Sequence, residues 1–99
     1  MGRHVITRWA RTLGSPDKRP ERIEGHDGLE WFVEEVAERW RHPDYIEHHK
    51  VPHGTVAEAY RLRVTGPAPG RPAQRAEQWV WLWQYGTGAG WWMGLDDPR

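Results

Sequence analysis

The chain has 99 residues, with 14 Lys and Arg, 14 Asp and Glu, and eight tryptophans. This length suits one domain with one modest core and leaves no room for a separate cofactor-binding domain. The balanced charge argues against a protein that holds duplex nucleic acid through bulk positive charge. Because cysteine is absent, disulfides, thiol catalysis, iron–sulfur clusters and cysteine zinc sites are excluded.

The sequence shows no segment that would direct it to a membrane. The N-terminal residues lack the apolar stretch of a secretory signal, and no apolar run approaches the 18 residues of a membrane span. We therefore expect a cytoplasmic protein without a membrane partner.

The first half of the chain predicts a strand, a flexible loop and a helix. Residues 3–13 roughly alternate apolar and polar positions, which is typical of a strand. Residues 14–26 are punctuated by glycine and proline and predict the loop. Residues 28–41 predict an amphipathic helix, because their apolar residues fall within about 100° on a helical wheel. These residues are Leu29, Phe32, Val33, Val36 and Trp40.

The second half predicts strands separated by loops. Residues 43–54 contain two prolines and several histidines and predict an irregular connector. Residues 55–65 alternate and predict a strand, and the aromatic-rich residues 77–85 form the most strand-like segment of the chain. A flexible loop is expected between them, over residues 66–76, because this stretch is rich in proline and glycine. A glycine-rich turn over residues 86–90 then leads to a short last strand over residues 91–93.

Together these elements predict a single small α+β domain over residues 1–99. One amphipathic helix would pack on a small, mainly antiparallel sheet of three or four strands, in the order β-α-β-β with a short further strand. The strand order stays open at this level.

The strand over residues 77–85 carries an aromatic ladder. Trp79, Trp81, Trp83 and Tyr85 lie on one face, whereas Val80, Leu82 and Gln84 lie on the other. The ladder can form the core, or it can face the solvent as a stacking surface for a partner. The face that the helix covers would decide between these two interpretations.

Trp31 stands out on the predicted helix. It points about 180° away from the apolar stripe and lies among Glu34, Glu35 and Glu38. An exposed tryptophan in an acidic surface is typical of the residue that anchors a protein interface. The alternative is that a chain segment folds over the helix and covers this ring.

Motifs for catalysis or cofactor binding are weak. Ser15 is the only serine, and residues 86–90 lack the spacing of a dinucleotide-binding loop. His49 and His53 have the spacing of a helical metal pair, but Pro52 interrupts a helix there. The sequence therefore predicts no cofactor, no resident metal and no catalytic residues, although acid–base chemistry by histidines and carboxylates stays open.

The leading hypothesis is a non-enzymatic protein-interaction module, such as a regulator, an inhibitor or an accessory subunit. Its partner would be another protein, and a homodimer is also an expectation because of the aromatic surface. The alternatives are single-stranded RNA binding by aromatic stacking and arginines, and a small acid–base enzyme or hydrophobic-ligand binder. The predicted partner-binding residues are Trp31, Glu34, Glu35, Glu38, Trp79, Trp81, Trp83, Trp91 and Trp92.

Overall fold

The computed structural model describes residues 7–13, 21–25, 28–45, 51–68, 70–87 and 90–99. In these residues the chain forms six strands and no helix, so none that could cross a membrane is found among them. The strands are β1 (Thr7–Leu13), β2 (Arg22–Gly25), β3 (Glu30–Arg41), β4 (Val56–Ala68), β5 (Arg71–Tyr85) and β6 (Trp91–Gly94).

The six strands form one antiparallel sheet that closes on itself as a barrel. Each strand pairs with the next along the chain, and β6 returns to pair with β1. Closure satisfies the backbone groups that an open sheet would leave at its edges. The longest pairing joins β4 and β5, where Leu62 lies opposite Val80 and Tyr60 lies opposite Leu82.

Alternate side chains of the strands fill the inside of the barrel. Apolar residues from β2 to β6 form its core, and Ile23, Leu62 and Leu82 among them are fully buried. Because side chains alternate across a strand, the neighbours of these residues face the outside. The buried members of this inner core are Ile23, Trp31, Val33, Tyr60, Leu62, Val64, Val80, Leu82 and Met93.

The predicted helix over residues 28–41 was wrong, and with it the α+β fold. These residues form β3, which pairs with β2 on one side and β4 on the other. The predicted apolar stripe is split between the two faces of the sheet. Val33 and Val36 pack inside the barrel, whereas Phe32 is exposed and Trp40 packs against a cluster on the outside.

Two bulges in β3 give this strand a helix-like sequence pattern. The pairing with β4 shifts once between Val33 and Glu35 and again between Val36 and Glu38. Each bulge sets two residues against one on the partner strand, so the spacing between inward side chains grows from two to three. A spacing of three also occurs along one face of a helix, and the sequence pattern alone cannot distinguish the two.

The predicted flexible loop over residues 66–76 was also wrong for most of its length. Gly66 lies opposite Ala76 within the β4–β5 pairing, which continues to Ala68 opposite Arg71. Gly70 adopts a φ of 73°, a conformation that favours glycine. Gly66 has a different role, because the indole ring of Trp31 lies directly against its Cα.

The remaining predicted strands are confirmed where the structure describes them. Residues 56–65 and 77–85 belong to β4 and β5, and residues 91–93 belong to β6. The first predicted strand is confirmed over Thr7–Leu13. The predicted loop over residues 14–26 was wrong at Arg22–Gly25, which form β2. The first residues of the first predicted strand, the loop residues 14–20 and the histidines at 48 and 49 lie outside the described residues.

We expect Gly66→Ala to destabilise the protein because of Trp31. The added Cβ would lie 2.6 Å from Cγ and from Nε1 of the Trp31 ring. Overpacking of this kind typically costs about 1–3 kcal/mol of unfolding free energy, which urea denaturation would measure.

The same substitution in a Trp31→Leu background should cost less than half as much, because the leucine side chain can move away. At an unobstructed strand position, replacing glycine by alanine stabilises a protein by about 0.4–1 kcal/mol. A gain in stability for Gly66→Ala alone would therefore contradict this contact.

Candidate functional site

The outer surface of β3, β4 and β5 carries most of the residues that the sequence singled out. Successive rows of side chains cross the three strands, and each row is fixed by the pairing. One row contains Glu35, Arg63 and Trp79, and a neighbouring row contains Phe32, Thr65 and Glu77. We call the surface formed by these six residues with Glu34, Arg61 and Arg75 the aromatic–arginine face.

Two large aromatic side chains on this face are open to solvent. Phe32 is 43% exposed and Trp79 is 41% exposed. Each ring lies beside an arginine. The Arg75 guanidinium is 5.6 Å from the centre of the Phe32 ring, and the Arg61 guanidinium is 5.2 Å from the centre of the Trp79 ring. At these distances the cation is attracted to the face of the ring.

An ion-pair group lies between the two aromatic residues. Arg63 on β4 donates to Glu35 on β3 at 3.1 Å and to Glu77 on β5 at 2.8 Å. Hydrogen bonding to Glu35 is the main cause that raises the pKa of Arg63, and Glu77 adds to it. Thr65 donates to Glu34 at 2.9 Å. Exposed pairs of this kind add little stability.

A second group of aromatic residues on the outside of the barrel is covered. Trp81 and Trp83 on β5 are each only 5% exposed, although they point away from the inner core. We call this group the outer cluster. It consists of Val56, Ala59, Trp81 and Trp83 with the partly buried Trp40, Tyr85 and Trp92.

Arg99 forms part of the cover over the outer cluster. Its guanidinium lies 5.0 Å from the centre of the Trp81 ring and 5.5 Å from that of Trp40. The same group donates to Asp97 at 2.8 Å and to Glu38 at 3.0 Å. The hydrogen bond to Asp97 is the largest cause that raises the pKa of Arg99, so its charge is firmly retained. The indole N–H of Trp83 has no acceptor among the described residues.

The structure places seven of the nine predicted partner-binding residues on the outer surface. Trp79, Glu34 and Glu35 lie on the aromatic–arginine face. Glu38 is exposed and bonds to Arg99, as described above. Trp81, Trp83 and Trp92 lie in the outer cluster.

The other two predicted residues, Trp31 and Trp91, face the inside of the barrel. Trp91 packs against Tyr60, with 6.0 Å between the ring centres. Trp31 is 6% exposed and belongs to the inner core. The expectation that Trp31 projects from an acidic helix face was therefore wrong, because it depended on the helix.

A buried carboxylate is the main polar feature inside the barrel. Glu58 on β4 is 3% exposed and faces the same side as Tyr60 and Leu62. Its Oε1 accepts from Gln84 at 3.0 Å, and its Oε2 accepts from Arg41 and from Tyr60, both at 3.1 Å. Arg39 lies 3.7 Å away. Two cations and two neutral donors compensate the cost of burying this one charge.

The Glu58 cluster has the features of a structural hydrogen-bond network and not of a catalytic site. Both Glu58 oxygens accept hydrogen bonds from described donors, and the side chain is almost fully buried, so the carboxylate is not presented to a substrate. Sequence reasoning missed it, although a signal was present. Glu58 shares its strand face with Tyr60, Leu62 and Val64, and a lone acid on an apolar face indicates a buried ionic network.

The histidines that the structure describes lie apart from one another. His42 contacts the ring of Trp40 edge-on, and His53 is hydrogen-bonded to Thr87 at 2.8 Å. Within the described part of the chain, no group of three His, Asp or Glu side chains is placed to hold a metal ion.

Comparison of the chain with known protein families, with curated proteins and with solved structures found no significant match.

We expect the stability of the protein to fall between pH 10 and 12 because of Tyr60. Burial, with a further contribution from the Glu58 carboxylate, raises the pKa of Tyr60 to about 12. An unfolded tyrosine ionises near pH 10, so the folded chain binds more protons in this interval and unfolding becomes easier as the pH rises. The contribution of the neutral Tyr60 phenol to the unfolding free energy is fully present below pH 10. The loss of this contribution should approach about 2–3 kcal/mol at pH 12.

Urea denaturation of the wild type and of Tyr60→Phe at pH 9, 10, 11 and 12 would test this expectation. The substitution removes the titrating phenol and one hydrogen bond, so it should cost about 1 kcal/mol at pH 9. Its unfolding free energy should then fall less steeply with pH. Parallel pH profiles for the two proteins would contradict the assignment to Tyr60.

Proposed function

We propose that this protein is a cytoplasmic protein-interaction module that binds another protein through its aromatic–arginine face. The observation that carries the proposal is the pair of solvent-exposed rings, Phe32 and Trp79, on one rigid sheet surface. Tryptophan, phenylalanine and arginine are enriched in protein interfaces. Both rings project from the paired strands β3 and β5, whose backbone is fixed by the sheet.

The charges of the face favour a protein partner over a nucleic acid. Three arginines share the face with Glu34, Glu35 and Glu77. A phosphate backbone would meet these three carboxylates, whereas a protein surface can complement both signs. The partner that fits has apolar side chains for Phe32 and Trp79, surrounded by groups of both charges.

The test begins with capture of partners from a lysate of the host. The wild type and Trp79→Ala are immobilised, with and without nuclease treatment, and the retained proteins are identified by mass spectrometry. The retained protein is then purified, and its Kd for each variant is measured by calorimetry. Leu95→Ala is the matched control, because Leu95 is similarly exposed, at 38%, but lies outside the aromatic–arginine face.

Trp79→Ala should weaken binding by at least about 30-fold, as expected for a residue that anchors an interface. Its melting temperature should change little, because the side chain is nearly half exposed in the free protein. Leu95→Ala should leave the Kd within about twofold.

Equal binding by the wild type and Trp79→Ala would contradict the proposed surface. Partners that are lost after nuclease treatment would instead support single-stranded nucleic-acid binding. Sedimentation at several concentrations would show whether the wild type forms a homodimer. If it does, and Trp79→Ala is a monomer, the partner of this face is a second copy of this chain.

A further inference from the structure

The barrel has an apolar cavity at the end where the β4–β5 hairpin lies. It has a volume of about 220 Å³. It is bounded by the start of β3, the hairpin and the end of β6, and its walls include Leu29, Trp31, Val80 and Met93. The Glu58 cluster lies toward the other end of β4, so the cavity is separate from the buried charges.

We propose that this cavity binds a small, neutral aromatic molecule that carries one hydrogen-bond donor. The described residues that line it include no charged side chain, so an ionic ligand would lose its hydration without compensation. An apolar cavity of about 150 Å³ holds benzene, so this volume suits about nine non-hydrogen atoms. The Trp31 ring supplies an aromatic wall, and the Met93 side chain adapts to the shape of a ligand.

Gln78 supplies the polar group that orients the ligand. Its Nε2 donates to the carbonyl of Pro67 at 3.1 Å, and the residue lines the cavity. This bond holds the amide in place and leaves its oxygen as the acceptor for a donor on the ligand. Apolar walls with one placed polar group are typical of small-molecule sites.

Indole and indene are matched probes for this site. Both are neutral bicyclic rings of nine non-hydrogen atoms, and only indole carries an N–H donor. Burial of such a ring predicts a Kd between about 0.03 and 2 mM for indole. Indole should bind about tenfold more tightly than indene because of the hydrogen bond to Gln78. Calorimetry on the full chain measures both, and protein NMR spectra show which residues shift.

Two variants locate the bound probe. Gln78→Leu should bring the affinities for indole and indene to within about twofold of each other, whereas a merely structural role of Gln78 would weaken both equally. Ala68→Phe places a ring in the cavity and should abolish binding of both probes. Its NMR spectrum establishes that the barrel is still folded.

Trp79→Ala is the control that separates this site from the proposed interface, and it should leave the indole Kd unchanged. Absence of indole binding at about 2 mM would overturn the proposal. Binding that survives Ala68→Phe, or that Trp79→Ala abolishes, would overturn it as well, because the probe would then lie elsewhere. None of these outcomes depends on whether the aromatic–arginine face binds a protein.

Discussion

The narrow inside of a six-stranded barrel limits how many large side chains it can hold. Leu62, Val64, Val80 and Leu82 occupy its middle, and Trp31 fits only because Gly66 has no side chain. Protein interiors are packed nearly as densely as organic crystals, so the middle of the barrel has no room for a further tryptophan side chain. Among the described side chains, the outer surface therefore carries five other tryptophans, which are either covered or exposed there: Trp40, Trp79, Trp81, Trp83 and Trp92.

Arginine side chains cover tryptophan rings on the outer surface of the barrel. The guanidinium groups of Arg61 and Arg99 lie over indole rings of β5, and Glu38 and Asp97 hold Arg99 in place. A planar cation can cover a ring while it keeps its hydrogen bonds to carboxylates or water. The outer surface is thus divided into a covered part, around Trp81 and Trp83, and an open part, around Phe32 and Trp79. This division is the physical reason for proposing that a partner protein binds at the exposed surface around Phe32 and Trp79.

The sequence allows most of β4 and β5 to be predicted. Residues 55–65 partly alternate, and residues 77–85 are a short run rich in tryptophan; both patterns are typical of strands. The sequence does not allow β3 to be predicted, since its bulges replace alternation by a spacing of three. The region around Gly66 and Pro67 has the composition of a loop, yet it is a strand. A tertiary contact with Trp31, not local preference, requires the glycine there.

The candidate site can be predicted only in part, for the same reasons. The pairing of β3 with β4 and β5 brings Trp79 and the glutamates of β3 onto one surface, and the sequence does not specify this pairing. Phe32 falls on the apolar stripe of the predicted helix, so its exposure cannot be foreseen. The end cavity joins residues from four strands and the segments next to them, and such long-range neighbours leave no local pattern.

The bulges of β3 also determine where this chain can change its length. A bulge contributes two residues, such as Glu34 and Glu35, where the partner strand contributes one. Loss of one residue from such a doublet restores simple alternation and leaves Arg39 and Arg41 directed toward Glu58. Loss of a residue from a regular stretch of the strand turns every following side chain to the opposite face. Related chains that are shorter in β3 should therefore have lost residues at the doublets, and their β3 would then show the plain alternation of a strand.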